Sequence, residues 1–222
     1  MMASESEKLP LGMMVPAVPA GVEIPPEPPD VGARALSVAS RLLCGATTFF
    51  FLAFVFAYFY LRSINQDHMW HPAHVNPSQG LGAAFIACIV LSAGLSIVAG
   101  RQMKSRSGSW VTAAAGGVAF GLIAIALQCI EYTKQHFGPT NGAYASVFCA
   151  WSALYLIAVL FTMFWLETQV ATEFRARHTP AGSEGDIKDP DEMIAPALDA
   201  AVFYWCFLAA IGVVTYVVLY LL

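Results

Sequence analysis

Charged residues fall along this chain in a way that isolates five long apolar stretches. They run from Leu42 to Leu61, Leu81 to Gly100, Trp110 to Ile130, Ala143 to Leu166 and Ala200 to Leu222. None contains Asp, Glu, Lys, Arg or His. Each is about 20 residues or longer, enough for a helix rising about 1.5 Å per residue to cross a hydrocarbon layer about 30 Å thick. Arg41 and Arg62 bracket the first, Arg101 closes the second, Glu131 the third and Glu167 the fourth. The pattern predicts an all-α, polytopic membrane bundle of five transmembrane helices, at about 36–62, 81–101, 110–132, 143–167 and 198–222.

The basic residues orient it. Lys8, Arg34, Arg41, Arg101, Lys104, Arg106, Arg175, Arg177 and Lys188 fall on one side, and only Arg62 and Lys134 on the other. An excess of Lys and Arg marks the cytoplasmic side, so the N-terminus is expected inside and the C-terminus outside. The segment 63–80, with His68, Trp70, His71 and His74, is then an outer loop, and 171–196 a long inner one of mixed charge.

Composition agrees. The chain is 58% hydrophobic and 12% charged, about half the charged share of a soluble domain. Its net charge of -4 gives no reason to expect nucleic acid. Ahead of the helices, residues 1–33 form a Pro-rich segment (Pro16, Pro19, Pro25, Pro26, Pro28, Pro29) expected to be a disordered cytoplasmic tail. It lacks the basic and apolar regions of a signal peptide, so no cleavage is expected. Residues 34–222 form the membrane domain. Cys44, Cys88, Cys129, Cys149 and Cys206 lie in or beside apolar runs without a CxxC pair and read as small buried apolar residues.

Helices in lipid associate through close approach at small residues. Gly117 and Gly121 in the third helix form a GxxxG, and Ser92 and Ser96 flank small residues in the second. These surfaces serve either packing within the chain or docking of another subunit. The aromatic crowd of the first helix, Phe49 to Tyr60, reads as a lipid-facing or packing surface with an interfacial belt.

Candidate chemistry is sparse. Ionisable groups inside a membrane mark ion and proton sites, and the five stretches have none. Glu131, at the end of the third, is expected near the interface as an anchor, with Lys134 at i,i+3 as its available partner. No stretch supplies a His for haem or copper, so no cofactor is expected in this chain. His68, His71 and His74 have spacing that could meet a metal, weakened by Pro72 between them, and are weak metal candidates. No catalytic residue stands out.

Three segments resemble subunit III of the haem-copper oxidases, in the five-helix form found in bacteria. The first is Leu127-Gln128-Cys129-Ile130-Glu131-Tyr132 followed by Asn141-Gly142-Ala143-Tyr144-Ala145-Ser146-Val147-Phe148, similar to the family's LQxxEY and DGxYGSxFF run. The second is Phe203-Tyr204-Trp205-Cys206-Phe207, similar to its YWHF, and the third the aromatic first helix. The form is divergent. Thr47 stands where the family has Glu, Ala153, Tyr155 and Ala158 where it has a GxHxxH pattern, and Cys206 and Ala209 where it has His and Asp.

The resemblance implies a non-catalytic accessory subunit of a respiratory oxidase in a bacterial inner membrane. It would pack with phospholipid against catalytic subunit I, and with subunit II, where haem and copper reside. Cytochrome c or quinol would donate electrons. The residues carrying the family pattern or the packing would be Gln128, Glu131, Tyr132, Tyr144, Ser146, Tyr204, Trp205, Gly117 and Gly121. The alternatives are an accessory subunit of a nitric oxide reductase, a stand-alone transporter, and a metal handler using the loop histidines.

Overall fold

A computed structural model describes residues 29–65, 70–72, 75–179 and 190–222. Five helices follow in order, α1 (Pro29–Ser63), α2 (Gln79–Lys104), α3 (Trp110–Lys134), α4 (Ala143–His178) and α5 (Pro190–Tyr216), and a π-helical turn (Val217–Leu221) extends the last. Among the described residues there is no strand. All five helices are long and apolar enough to cross a membrane.

Three helices overrun the stretches that hydropathy marks. α1 begins at Pro29, so residues 29–33 are helix and not tail; proline suits a first turn, whose N–H groups have no intrahelical partner. The rest of the expected tail lies outside the described residues. α4 continues to His178 and α5 starts at Pro190, so most of the expected 171–196 loop is helix. The reason is packing. Val170 and Glu173 of α4, at i,i+3, are buried, and so are Ile194 and Leu198 of α5, at i,i+4. A charged residue ends an apolar run without ending a helix whose one face still has a neighbour.

α5 packs against α1, α2 and α4, α3 packs between α2 and α4, and α1 closes against α4. The closest pair is α2 with α3. There Ser92 Oγ donates to the Gly117 carbonyl at 2.5 Å, and a Cβ on Gly117 would stand 2.9 Å from Ser96 Oγ and 3.2 Å from the Ser92 carbonyl. Gly121, one turn on, faces Met163 of α4, whose sulfur occupies the place of a Cβ. The two glycines of the GxxxG therefore approach two different helices of this same chain.

The adjacent aromatics of α5 also divide their work. Trp205 Nε1 donates to Ser92 Oγ of α2 at 3.1 Å, and the Tyr204 hydroxyl shares a 3.1 Å hydrogen bond with Thr47 of α1. In α1, Phe51 and Tyr58, two turns apart, are buried, whereas Phe49, Phe56 and Tyr60 are exposed. The aromatic helix thus turns one narrow stripe inward and most of its rings outward.

The turn between α2 and α3 has a specific closure. Ser107 N donates to the Gln102 carbonyl and Arg106 N to that of Met103, a Schellman motif. Arg106 takes the left-handed position, φ 54°, that glycine ordinarily fills. At the start of α4 a glycine does serve: Gly142 has φ 128°.

Candidate functional site

Five inward positions on α3 set the site: Gly117, Gly121, Ala124, Gln128 and Glu131, spaced four, three, four and three. This spacing keeps one face of a helix toward its neighbours. The first three are small and let α2 and α4 come close. The last two extend the same stripe with polar groups, which are carried inward at one end of the bundle, here called the Glu131 end.

Glu131 is accordingly buried, 3% exposed, rather than an anchor at the interface. Its Oε2 accepts from Gln128 Nε2 at 3.0 Å and from the Tyr220 hydroxyl at 2.8 Å. The Ser78 backbone faces the same carboxyl outside hydrogen-bond geometry, and Oε1 is otherwise unpaired. Lys134 is exposed and makes no ion pair with Glu131. Its position falls off the inward stripe, so helical phase separates the two charges.

Tyr220 reaches this carboxyl because the last turn widens. Leu222 N donates to the Val217 carbonyl at 3.1 Å, an i to i−5 bond. The ring lies against Gly82 of α2, where a Cβ would stand 2.5 Å from Tyr220 Cε1. It also packs on Phe148 and Tyr216, with ring centroids at 5.4 and 5.2 Å.

Three carbonyls of this last turn accept from side chains of three other elements. The Tyr144 hydroxyl donates to Leu219 O. Gln79 Nε2 donates to Tyr220 O at 3.2 Å, and Arg62 Nη1 to Leu222 O at 2.9 Å.

The remaining motif residues gather around this core. The Tyr132 hydroxyl donates to Ser152 Oγ of α4 at 2.9 Å. Ser146 Oγ donates to the Pro139 and Gly142 carbonyls at 2.5 and 3.0 Å, tying the first turn of α4 to the loop before it. Tyr144 N donates to the Trp70 carbonyl at 3.1 Å, which straps the α1–α2 connection across the top of α4. The His71 ring packs against that of Tyr144 at a tilt of 59°, with centroids 4.4 Å apart. His68 and His74 lie outside the described residues, and among the described residues no three His, Cys, Asp or Glu side chains gather as metal ligands. A cavity of about 530 Å³ opens beside the cage, with Arg62, His71 and Gln79 among aromatic walls.

Sequence reasoning passed over Gly82, Ser152 and Tyr220. The signal for Glu131 was present in its spacing from Gly121 and Gln128. None was present for Tyr220, which the π turn redirects. The arrangement is a hydrogen-bonded clamp that holds α3 to the end of α5. It offers no nucleophile paired with a base.

No family model matches the chain. It is similar to cytochrome c oxidase subunit 3 of Tachyglossus aculeatus aculeatus, 24% identical over 178 residues, 78% of this chain and 64% of that protein. It is likewise similar to cytochrome c oxidase subunit 3 of Ornithorhynchus anatinus, 24% identical over 182 residues, with the same shares of 78% and 64%. The chain thus spans less than two thirds of the length of these curated relatives, and the similarity is distant but extends over most of its own length.

Proposed function

We propose that this chain is a divergent, non-catalytic accessory subunit of a respiratory haem-copper oxidase, similar to subunit III, and that it stabilises the catalytic subunit during aerobic electron transport. The observation that carries this reading is the distant similarity to cytochrome c oxidase subunit 3 over 78% of the chain. The segment that resembles the family most, Gln128 to Phe148, is also the one built into the buried clamp.

In this reading haem and copper sit in the partner, and the five helices offer that partner and its phospholipid an apolar flank of fixed shape. In the same reading the membrane is a bacterial inner membrane, and the excess of basic residues at the Lys104 end supports that end facing the cytoplasm, with the Glu131 end on the opposite side. The chain's own contribution is rigidity, with Glu131, Tyr132, Tyr144, Tyr204 and Trp205 each tying one helix to another.

Capture of the chain from its membrane in mild detergent, followed by a reduced-minus-oxidised visible spectrum, tests the proposal. Haem bands and a large multi-helix partner at stoichiometric ratio are expected. A nitric oxide reductase as the captured partner would move the chain to that complex. A colourless protein without a partner would replace this reading with an independent membrane protein.

A further inference from the structure

Tyr58, near the end of α1, is 1% exposed and lines the cavity of about 530 Å³ beside the Glu131 cage. Trp70 and Tyr144 hold its ring edge to face, with centroids 5.1 and 6.4 Å away. On the same wall the Tyr144 and Tyr220 hydroxyls are committed, to Leu219 O and to Glu131 Oε2. The Tyr58 hydroxyl makes no hydrogen bond among the described residues; Arg62, four residues on, faces it outside hydrogen-bond geometry. A buried phenol ordinarily finds a partner, and the space that remains to this one is the cavity.

The neighbouring polar groups are donors too. Arg62 spends Nη1 on Leu222 O and has further N–H groups to give. Gln79 Nε2 spends one of its protons on Tyr220 O. None of the described lining residues is Asp or Glu. A permanent cation and several N–H and O–H groups around one space complement a ligand with negative charge and acceptor oxygens, and a guanidinium suits phosphate in particular. The volume falls within the range of about 300–1,000 Å³ usual for ligand clefts. Arg62 ends the apolar stretch of α1, so the cavity lies where hydrocarbon gives way to water. Leu221 and Leu222, both exposed, give it an apolar rim.

We propose that this cavity binds a phosphoryl oxyanion, carried by a lipid headgroup or free in solution, with the Tyr58 hydroxyl and the Arg62 guanidinium as its main donors and Gln79 as a third. Tyr58 supplies a fixed donor, because its ring is packed on two sides, and Arg62 supplies the charge. The site goes beyond the accessory-subunit reading and holds whichever complex contains the chain.

The test titrates the full chain, purified in phosphate-free detergent, and follows its Tm. The probes are dihexanoyl-phosphatidylglycerol, dihexanoylglycerol, which lacks the phosphate, and sodium phosphate against sodium chloride at equal ionic strength. Saturable stabilisation by a phosphate-bearing probe, and none by dihexanoylglycerol, is expected. Tyr58→Phe, which keeps the ring, and Arg62→Gln should each weaken that binding about tenfold. Lys104→Gln, at the opposite end, should leave it unchanged. The same dependence on Tyr58 with sodium phosphate would support the site as one for a free anion, and dependence with the phospholipid alone would support it as a headgroup site. Stabilisation by no probe, equal stabilisation by dihexanoylglycerol, or wild-type affinity in Tyr58→Phe would overturn the proposal. Should Arg62→Gln fail to fold, Tyr58→Phe decides alone, since it removes one oxygen that no other side chain bonds.

Discussion

The two ends of the bundle use the same kinds of side chain under opposite conditions. At the Glu131 end a carboxyl is buried and held by neutral donors, Gln128 and Tyr220. At the other end Lys104 pairs with Asp199 at 2.8 Å, but the two side chains are 67% and 55% exposed. Arg177 and Glu173 add a pair at 2.7 Å within one helix, in which only the arginine is exposed. An exposed ion pair is weakened by water and salt and is worth about 0–1 kcal/mol. A hydrogen bond is worth about 0.5–1.5 kcal/mol to a neutral group and about 1.5–3 kcal/mol to a charged one, and leaving a buried polar group unsatisfied costs about 1–3 kcal/mol. Ion pairing is thus the more conspicuous interaction at one end, and hydrogen bonding the stronger one at the other.

The largest expected effect comes from forcing the clamp open. Gly82→Val places atoms where the Tyr220 ring lies. It should lower stability by about 3 kcal/mol, through overpacking and a lost donor to Glu131 together. Thermal unfolding in nanodiscs measures this, and a change under about 1 kcal/mol would show that the π turn shifts freely.

Tyr220→Phe keeps the ring and removes only the hydroxyl, so it should cost about 1–2 kcal/mol. Because the site is buried, raising salt from about 0.1 to about 1 M should leave that loss unchanged. A loss that disappears in high salt would mean the carboxyl is exposed to solvent.

At the opposite end Arg106→Gly should stabilise, by about 1 kcal/mol, since glycine takes the left-handed position without the steric cost of a Cβ. A neutral or negative result would show that the Arg106 side chain offsets its backbone. The smallest effect is expected for Asp199→Asn, about 0.5 kcal/mol or less at low salt and none at about 1 M. Equal losses for Tyr220→Phe and Asp199→Asn would erase the contrast between the ends.

How far the sequence went can be judged from particular residues. Five helices were legible because crossing a bilayer leaves an uncharged stretch of set length. The inward turn of Glu131 was also legible in principle, from its spacing to Gly117, Gly121 and Gln128, although its charge suggested the interface instead. Pairing with Lys134 looked natural from three-residue spacing, yet one partner follows the packed stripe and the other leaves it. The second role of Gly121, as a notch for Met163, needed knowledge of which helix stands opposite.

By itself the sequence determined an all-helical chain with five potential crossings and the small-residue stripe that lets α2 and α3 meet. It could do so because length and apolar content are local properties that lipid tests one segment at a time. Only the tertiary structure decided that Tyr220 closes on Glu131, that Trp205 reaches Ser92, and that α4 and α5 run past their apolar stretches. Those outcomes depend on which faces meet across the bundle. A widened last turn or a missing Cβ on a neighbouring helix changes them without altering the hydropathy of any segment.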